Sequence, residues 1–276
     1  MKPKVIALLT DFGNDDPYVG IMKGVISDLA PGTQTIDITH QVPSGDIQRG
    51  AFVLWQTAND FLKDTIFLCV IDPGVGSDRK GLILQKNGKI FIGPDNGLFT
   101  YILYNSQFSC WELSNPQYQK EAASATFHGR DVFAPAAAYA ARYISGNQFG
   151  NKISDLCCLR TPILNFEEKS LNGEILSHDH FGNLFTSIGR LRYQNKSLVI
   201  RSWIDAVELV IADISSIRIK VNDQNLPLIK TYSSVEPGMC AGLIGSTGLL
   251  EIVANQASAK SLLGLKKGNA VSLLWD

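Results

Sequence analysis

The chain has 276 residues, a formal net charge of −1 and 45% hydrophobic residues. This is a globular composition with enough apolar material for one large domain or two smaller ones, and without a basic field nucleic acid is not an expected partner. No segment approaches the roughly 20 apolar residues that span a bilayer, and the apolar run at 5–9 is too short for a signal peptide, so a cytoplasmic protein with no membrane association is expected.

The first half of the chain predicts strands that alternate with helices. In chain order we predict a strand at 5–10, a helix at 17–32, a strand at 33–38, a helix at 45–60 with Asp46 as a possible N-cap, a strand at 65–71, a hairpin at 81–93 turning at Asn87-Gly88, and a segment at 127–146 that is helical towards its end. The strands are continuously apolar. This alternation predicts an α/β domain with a mainly parallel central sheet covered on both faces.

Near 165–174 the pattern changes to short β-type runs, with short helical patterns such as the one at 257–264. The runs lie at 173–178, 183–188, 197–204, 207–212, 216–221, 239–245, 249–255 and 270–275. They predict an all-β, barrel-like or sandwich domain. The chain is therefore divided into an α/β domain at 1–165 and an all-β domain at 166–276.

Two predicted strands end in a carboxylate followed by a loop. Asp11 follows the strand at 5–10, and Asp72 follows the strand at 65–71. Ligands of open α/β sheets gather at the carboxyl ends of the strands, so both carboxylates are expected in one crevice. The alternative for each is an Asx-turn or a cap of the following segment.

Two further stretches of the first half carry candidate chemistry. The sequence "GVGSDR" at 74–79 has only two glycines of a phosphate loop and lacks its Lys-Ser/Thr, so phosphate binding is disfavoured. Arg79 alone would be typical of a solvated surface. His128 in "TFHGRDVF" is an acid/base candidate near a helix start, or forms a local hydrogen bond there.

The second half contains "SHDHFGN" at 177–183. His178 and His180, if they lie on a strand, share one face and could bind a metal, but two histidines are not a site. The alternative is a turn that presents Asn183 to a polar ligand. The five cysteines include the adjacent Cys157 and Cys158 and no C-x-x-C pair, so reduced thiols are expected, with neither zinc nor disulfides.

Taken together, six stretches resemble one family. They are "LLTDFGNDDPYVGIMKGVI", "DITHQVPSGDIQRGA", "VIDPGVGSDR", "GPDNGLFT", "TFHGRDVFAP" and "DHFGNLFTSI". This order of motifs is similar to that of the S-adenosyl-L-methionine (SAM) hydroxide adenosyltransferases, adenosine-forming SAM hydrolases related to the fluorinase and chlorinase. The resemblance extends to "STGLLEIVANQAS" at 246–258.

The resemblance implies an enzyme that attacks C5′ of the SAM ribose with water-derived hydroxide and forms adenosine and methionine. It implies a hydroxide-generating trio of Asp72, Arg79 and His128. It also implies a homotrimer, in which the C-terminal domain of one subunit completes the SAM site of its neighbour. SAM is the substrate, and no cofactor or metal is expected.

The family's substrate contacts carry over to this chain one position at a time. In the first domain, the resemblance places Asp11 at the ribose hydroxyls and Phe127 beside the substrate. In the second domain, it places Asn183 against the substrate, Asp179 at the methionine ammonium and Ser246 at the methionine carboxylate. It places Tyr232 stacked on adenine, with Glu251 and Val253 near the adenine edge.

Departures from the fluorinase pattern indicate which reaction is expected. The fluorinase has Tyr, Thr and Ser where this chain has Asp72, Val75 and Gly129, and Gly45 replaces its tryptophan. Those hydroxyls cradle a halide, whereas a carboxylate repels an anion. A hydrolase is therefore expected. The alternatives are a SAM-dependent halogenase and a non-catalytic SAM- or adenosine-binding protein such as a sensor.

Overall fold

The structure, a computed structural model, describes residues 4–105, 107–205, 207–211 and 213–276. It divides into two compact units, Met1–Leu159 and Arg160–Asp276. Within the described part of the chain, no helix combines the length and apolar character that crossing a bilayer requires.

The first unit contains seven strands and four α-helices among its described residues. They are β1 Val5–Thr10, α1 Tyr18–Leu29, β2 Gln34–Thr39, α2 Ile47–Ala58, β3 Ile66–Val70, β4 Gly81–Lys86, β5 Lys89–Pro94, α3 Thr100–Leu103, β6 Ser109–Glu112, α4 Ala134–Ala141 and β7 Lys152–Ile153. A π-helical turn, Gly129–Phe133, leads into α4. The predicted N-cap of α2 is confirmed, because the Asp46 carboxylate accepts a hydrogen bond from the backbone N–H of Arg49.

The sheet of the first unit has the strand order β2-β1-β3-β5-β4-β6-β7. The neighbours β2, β1, β3 and β5 are parallel, while β4 runs antiparallel to both β5 and β6. The β4–β5 hairpin turns at Asn87 and Gly88, which both have positive φ, as the Asn-Gly signal predicts. The prediction of a mainly parallel central sheet is confirmed.

The central strands β1, β3, β4 and β5 are buried on both faces, which explains the continuously apolar runs of β1 and β3, whereas the edge strand β2 is largely exposed. Ile6 and Leu8 of β1 join the core formed with Met22 of α1 and the alanine-rich α4. Phe67 of β3 stacks on Phe91 of β5 with ring centroids 5.0 Å apart. Helices packed against parallel strands leave the carboxyl ends of the strands as the open edge, where ligands bind in such folds.

The second unit contains eleven strands and one α-helix among its described residues. They are β8 Leu164–Glu167, β9 Ser170–His178, β10 Leu184–Thr186, β11 Leu191–Gln194, β12 Ser197–Arg201, β13 Glu208–Ile211, β14 Arg218–Val221, β15 Gln224–Ile229, β16 Cys240–Ile244, β17 Leu250–Ala254, α5 Ala259–Leu263 and β18 Ala270–Leu274. The predicted strand at 207–212 is β13, and its last residue, Ala212, lies outside the described residues.

Seven strands of this unit close into a barrel in the order β10-β17-β16-β15-β14-β18-β9, because β10 pairs with both β17 and β9. β8 extends the sheet beyond β9, and β11, β12 and β13 form a separate antiparallel sheet. The barrel-like prediction is confirmed. β15 was not predicted from the sequence, because Pro227 interrupts its apolar run and argues against a central strand.

Candidate functional site

The open edge of the first sheet carries the two predicted carboxylates. β1 and β3 are parallel neighbours with Thr10 opposite Val70, so Asp11 and Asp72 leave the sheet at the same edge. After Asp72 the chain turns sharply, and the N–H of Val75 donates to the Asp72 carbonyl at 3.2 Å. Gly76 has a φ of +81°, and a Cβ there would lie 2.6 Å from the Ala125 carbonyl oxygen. Glycine at this position therefore lets the loop approach the segment before His128.

Arg79 is in direct contact with both Asp72 and His128. Arg79 Nε donates to Asp72 Oδ1 at 2.9 Å and Nη2 donates to Oδ2, which makes the pair bidentate. Nη2 also lies 2.7 Å from His128 Nδ1. The side chains of Arg79 and Asp72 are only 11% and 5% exposed. Arg79 is thus an inward-facing residue of the site, and the surface interpretation is wrong.

The arginine also fixes the tautomer of His128. A guanidinium only donates hydrogen bonds, so Nδ1 of the imidazole accepts and the ring proton of the neutral form is on Nε2. Partial burial, followed by the positive charge of Arg79, lowers the pKa of His128, while Asp72 and Asp131 oppose the shift. His128 is therefore a neutral imidazole at pH 7.

Aromatic rings line a cavity beside this trio. The cavity has a volume of about 140 Å³ and is lined by Phe12, Tyr18, Val70, Asp72, Val75, Thr126, Phe127, His128 and Gly129. The Phe127 ring lies 5.2 Å from that of Tyr18 and 6.2 Å from that of Phe12. Tyr18 is not among the residues predicted from the sequence, although its place directly after the helix-start Pro17 puts it beside the loop of Asp11. A carboxylate and an imidazole thus meet an apolar cavity wall, where charge interactions are stronger than in water.

Two other charged residues near the site have different partners. Asp11 accepts a hydrogen bond from the backbone N–H of Gly45 at 2.8 Å and is not among the cavity-lining residues. Arg130, two positions after His128, pairs with the fully buried Asp131 through Nε at 2.7 Å. Arg130 therefore anchors the π-helical turn and leaves Arg79 as the guanidinium of the trio.

Four of the predicted substrate contacts in the second unit cluster together. Asn183, 6% exposed, donates from Nδ2 to Asp179 Oδ2 at 2.8 Å and to the Tyr232 hydroxyl at 3.4 Å. Burial and then the Asp179 charge raise the pKa of Glu251 to about 7. Burial, followed by Glu251 and Asp179, also raises the pKa of Tyr232. A cluster with two neighbouring carboxyls favours a ligand that brings positive charge or hydrogen-bond donors.

The remaining predicted contacts of the second unit differ in exposure. Ser246 is exposed in the turn between β16 and β17, whereas the Val253 side chain is fully buried with Ala241 and Leu243. Val253 can therefore offer a ligand only its backbone.

The structure places the two histidines of "SHDHFGN" differently from a metal pair on one strand. His178 is the last residue of β9 and its Nε2 lies 2.9 Å from Lys260 Nζ, while His180 lies in the turn that follows. The expectation that both share one strand face is wrong. Among the described residues, no group of three or more His, Cys, Asp or Glu side chains is arranged to hold a metal ion. The same turn does present Asn183, because its backbone N–H donates to Asp179 Oδ1 at 2.9 Å.

Comparisons with known proteins agree across the whole chain. Residues 6–150 match the SAM hydroxide adenosyltransferase N-terminal domain, and residues 173–272 match the corresponding C-terminal domain. A protein of Thermus thermophilus named (R)-S-adenosyl-L-methionine hydrolase is 33% identical over 99% of this chain and 100% of its own. The protein of the same name from Salinispora tropica is 34% identical over 96% and 95%, and a fluorinase of Nocardia brasiliensis is 25% identical over 98% and 96%.

A solved structure also matches. The crystal structure of an uncharacterized conserved protein from Thermotoga maritima has a TM-score of 0.83 and 29% identity, covering 98% of this chain and 99% of the other. With both domain matches and full-length relatives above 30% identity, this chain belongs to the SAM hydroxide adenosyltransferase family.

Proposed function

We propose that this protein hydrolyses SAM to adenosine and L-methionine by attack of water-derived hydroxide on C5′ of the ribose. The observation that carries the proposal is the contact of Asp72, Arg79 and His128 beside a cavity lined by Phe12, Tyr18 and Phe127. Relatives at 33% and 34% identity over nearly their full length are named as SAM hydrolases, which supports the same substrate.

The chemistry of the leaving group explains why the site is built around the nucleophile. The C–S bond of a sulfonium breaks with its electron pair moving to sulfur, and methionine departs as a neutral thioether, so no general acid is needed. Water, however, is a weak nucleophile and must lose a proton as the C–O bond forms. The Asp72–His128 pair receives that proton, and the Arg79 guanidinium favours the hydroxide by its charge. A fixed water beside an apolar wall needs little reorganisation before attack.

The other substrate contacts follow from the remaining clusters. Asp11 binds the ribose hydroxyls and Phe127 packs beside the sugar. In the second unit, Asp179 binds the methionine ammonium, Tyr232 stacks on adenine, and Asn183, Ser246, Glu251 and the backbone of Val253 complete the contacts. The carboxyls of Asp179 and Glu251 support the ammonium assignment, because they favour a cationic ligand.

We further propose that the active form is a cytoplasmic homotrimer, in which the second unit of one subunit serves the trio of its neighbour. The cavity at the trio is about 140 Å³, whereas small-molecule sites usually measure about 300–1,000 Å³, so further residues must enclose SAM. Light scattering combined with activity tests the assembly. A trimer is expected, and a fully active monomer would contradict the shared site.

The decisive experiment identifies the nucleoside formed from SAM in ¹⁸O-labelled water, with and without fluoride or chloride. Adenosine labelled at the 5′-hydroxyl is expected in every case. Unlabelled adenosine, or label in methionine, would contradict attack of water on C5′. A 5′-halogenated nucleoside would identify a halogenase, the reaction that the Asp72 carboxylate disfavours by repelling an anion. SAM binding without any product would identify a sensor-like protein.

No metal takes part in the proposed reaction. Hydrolysis should continue at an unchanged rate after dialysis against EDTA, because the trio supplies the proton acceptor and the positive charge. Strong inhibition that added divalent metal reverses would revive a metal role for His178 and His180.

A further inference from the structure

The buried imidazole of His40 joins two loops that follow neighbouring strands. His40 lies just after β2 and is 5% exposed, and its Nδ1 is 2.8 Å from Oγ1 of Thr10, the last residue of β1. Its Nε2 lies 3.1 Å from Oδ1 of Asp37 on β2. The other carboxylate oxygen of Asp37 accepts a hydrogen bond from Lys23 of α1 at 2.7 Å. This chain of polar contacts runs from α1 to the end of β1, and the proposed chemistry uses none of its members.

Each donor in this series of polar contacts can be assigned. Burial acts to raise the pKa of Asp37, but the hydrogen bond from Lys23 and the close contact with His40 outweigh it, and the pKa is lowered. An ionised carboxylate beside Nε2 places the imidazole proton there, so Nδ1 accepts the hydroxyl proton of Thr10. Thr10 Oγ1 in turn accepts the backbone N–H of Phe12 at 3.3 Å.

Two additional contacts attach the same loop. The N–H of Gly13 donates to the His40 carbonyl at 2.8 Å, and the N–H of Gly45 donates to the Asp11 carboxylate at 2.8 Å. The loop that follows β2 thus holds Asp11 and Gly13 directly, and it holds Phe12 indirectly through the Thr10 hydroxyl. The segment Asp11–Gly13 carries Phe12, which lines the cavity, and Asp11.

We propose that His40 is a positioning residue, which holds Asp11–Gly13 in its substrate-binding conformation through the hydroxyl of Thr10. His40 is too deeply buried to touch substrate, and Thr10 is fully buried. The inference rests on the proposed function, in which Asp11 binds the ribose. A loop ordered before binding lowers the entropic cost of association, so loss of the His40 contact weakens substrate binding and leaves the chemical step in place.

Paired variants test which atom of His40 matters. Asparagine places its amide near Nδ1 and can still reach Thr10, whereas glutamine places its amide near Nε2. His40→Ala, His40→Gln and Thr10→Val should raise KM for SAM about tenfold, the scale of one lost hydrogen bond, with kcat within about threefold. His40→Asn and Thr10→Ser should stay near the wild-type values. Thr57→Val is the matched control, because the Thr57 hydroxyl bonds within α2, to the Val53 carbonyl at 2.8 Å.

A second readout does not depend on turnover. Amide hydrogen exchange of Phe12 and Gly13 should be faster in His40→Ala and in Thr10→Val than in the wild type. Slower or unchanged exchange, or a loss confined to kcat or melting temperature with KM unchanged, overturns the inference. If the wild-type protein releases no adenosine from SAM, the proposed function fails. Exchange, together with the affinity for adenosine by calorimetry, then decides the role of His40 separately.

Discussion

Arg79 donates a hydrogen bond to Nδ1 of His128 across 2.7 Å while its other donors hold both oxygens of Asp72. One guanidinium therefore bridges the two groups that can accept a proton. Because Nδ1 is occupied, a proton moving to His128 must displace or weaken the contact with Arg79. The trio is thus coupled by geometry, and its members should respond to mutation as one unit.

Substitution of His128 separates proton acceptance from anchoring of Arg79. Asparagine keeps an acceptor near Nδ1 but cannot take up a proton, whereas alanine removes both properties. If His128 takes part in proton transfer, both variants should lose kcat by about 10²-fold or more, the usual scale for acid–base assistance. Single-turnover rates measure this effect. Full activity of His128→Ala would show that His128 is only a helix-start residue, and recovery in His128→Asn would limit it to anchoring.

Double variants within the trio should be strongly non-additive. Asp72→Ala and Arg79→Ala should each lower kcat substantially, and the double variant should be little worse than the poorer single one, as for residues that serve one step. Single-turnover rates of the wild type, the two single variants and the double variant give the coupling energy. A matched pair, Asp11→Ala with Arg79→Ala, removes groups of different function and should be closer to additive. Simple additivity between Asp72 and Arg79 would contradict a single unit.

As the pH is lowered, activity should begin to fall only below the ordinary pKa of an imidazole, 6.5. Burial and Arg79 lower the pKa of His128, and the neutral form is the active one. Activity is therefore retained as the pH falls towards 6.5, the ordinary value, and is lost only below it as His128 gains a proton. The pH profile of kcat/KM between pH 5 and 8, together with an NMR titration of His128, checks this. An acid limb above pH 6.5 that follows the titration of His128 would contradict the assignment.

Removal of the Asp11 carboxylate should weaken substrate binding before it slows the chemical step. Asp11→Ala removes a proposed acceptor for the ribose hydroxyls and leaves Asp72, Arg79 and His128 unchanged. The affinity for SAM by calorimetry should fall by about tenfold or more, the scale of a lost charge-assisted hydrogen bond, while the single-turnover rate at saturation changes less. The exposed Asp223→Asn is the control. The opposite pattern, normal affinity with a slow chemical step, would place Asp11 in the reaction itself.

Glu251 should make the stability of the second unit depend on pH. Burial raises its pKa from 4.5 to about 7 in the folded protein, so its contribution is fully present below pH 4.5 and is lost as the pH rises through about 7. The loss is on the order of 3 kcal/mol. Urea unfolding of wild type and Glu251→Gln at pH 5 and pH 8 measures it. Glu251→Gln should remove this part of the pH dependence, whereas the exposed Glu168→Gln should not. Equal pH dependence in wild type and Glu251→Gln would contradict the shift.

The sequence by itself determined the fold class and the order of most elements. Continuous apolar runs such as β3 predict buried parallel strands because both faces are covered, and the Asn87-Gly88 pair predicts its hairpin because both residues tolerate positive φ. The sequence also placed Asp11 and Asp72 at one edge, because each follows the carboxyl end of a predicted parallel strand. These features depend on local conformation and on the periodicity of burial, and both are determined by the local sequence.

The family resemblance named the trio of Asp72, Arg79 and His128, but only the tertiary structure decided how side chains from distant segments contact one another. Arg79 and His128 are separated by 49 residues, and their contact depends on the close approach of the Gly76 loop to Ala125. Tyr18, the first residue of α1, lines the cavity. His40, which follows β2, contacts Thr10 at the end of β1. β15 forms despite Pro227 because its neighbours in the barrel supply the pairing. Such contacts arise from packing between distant segments, and no local pattern of residues encodes them.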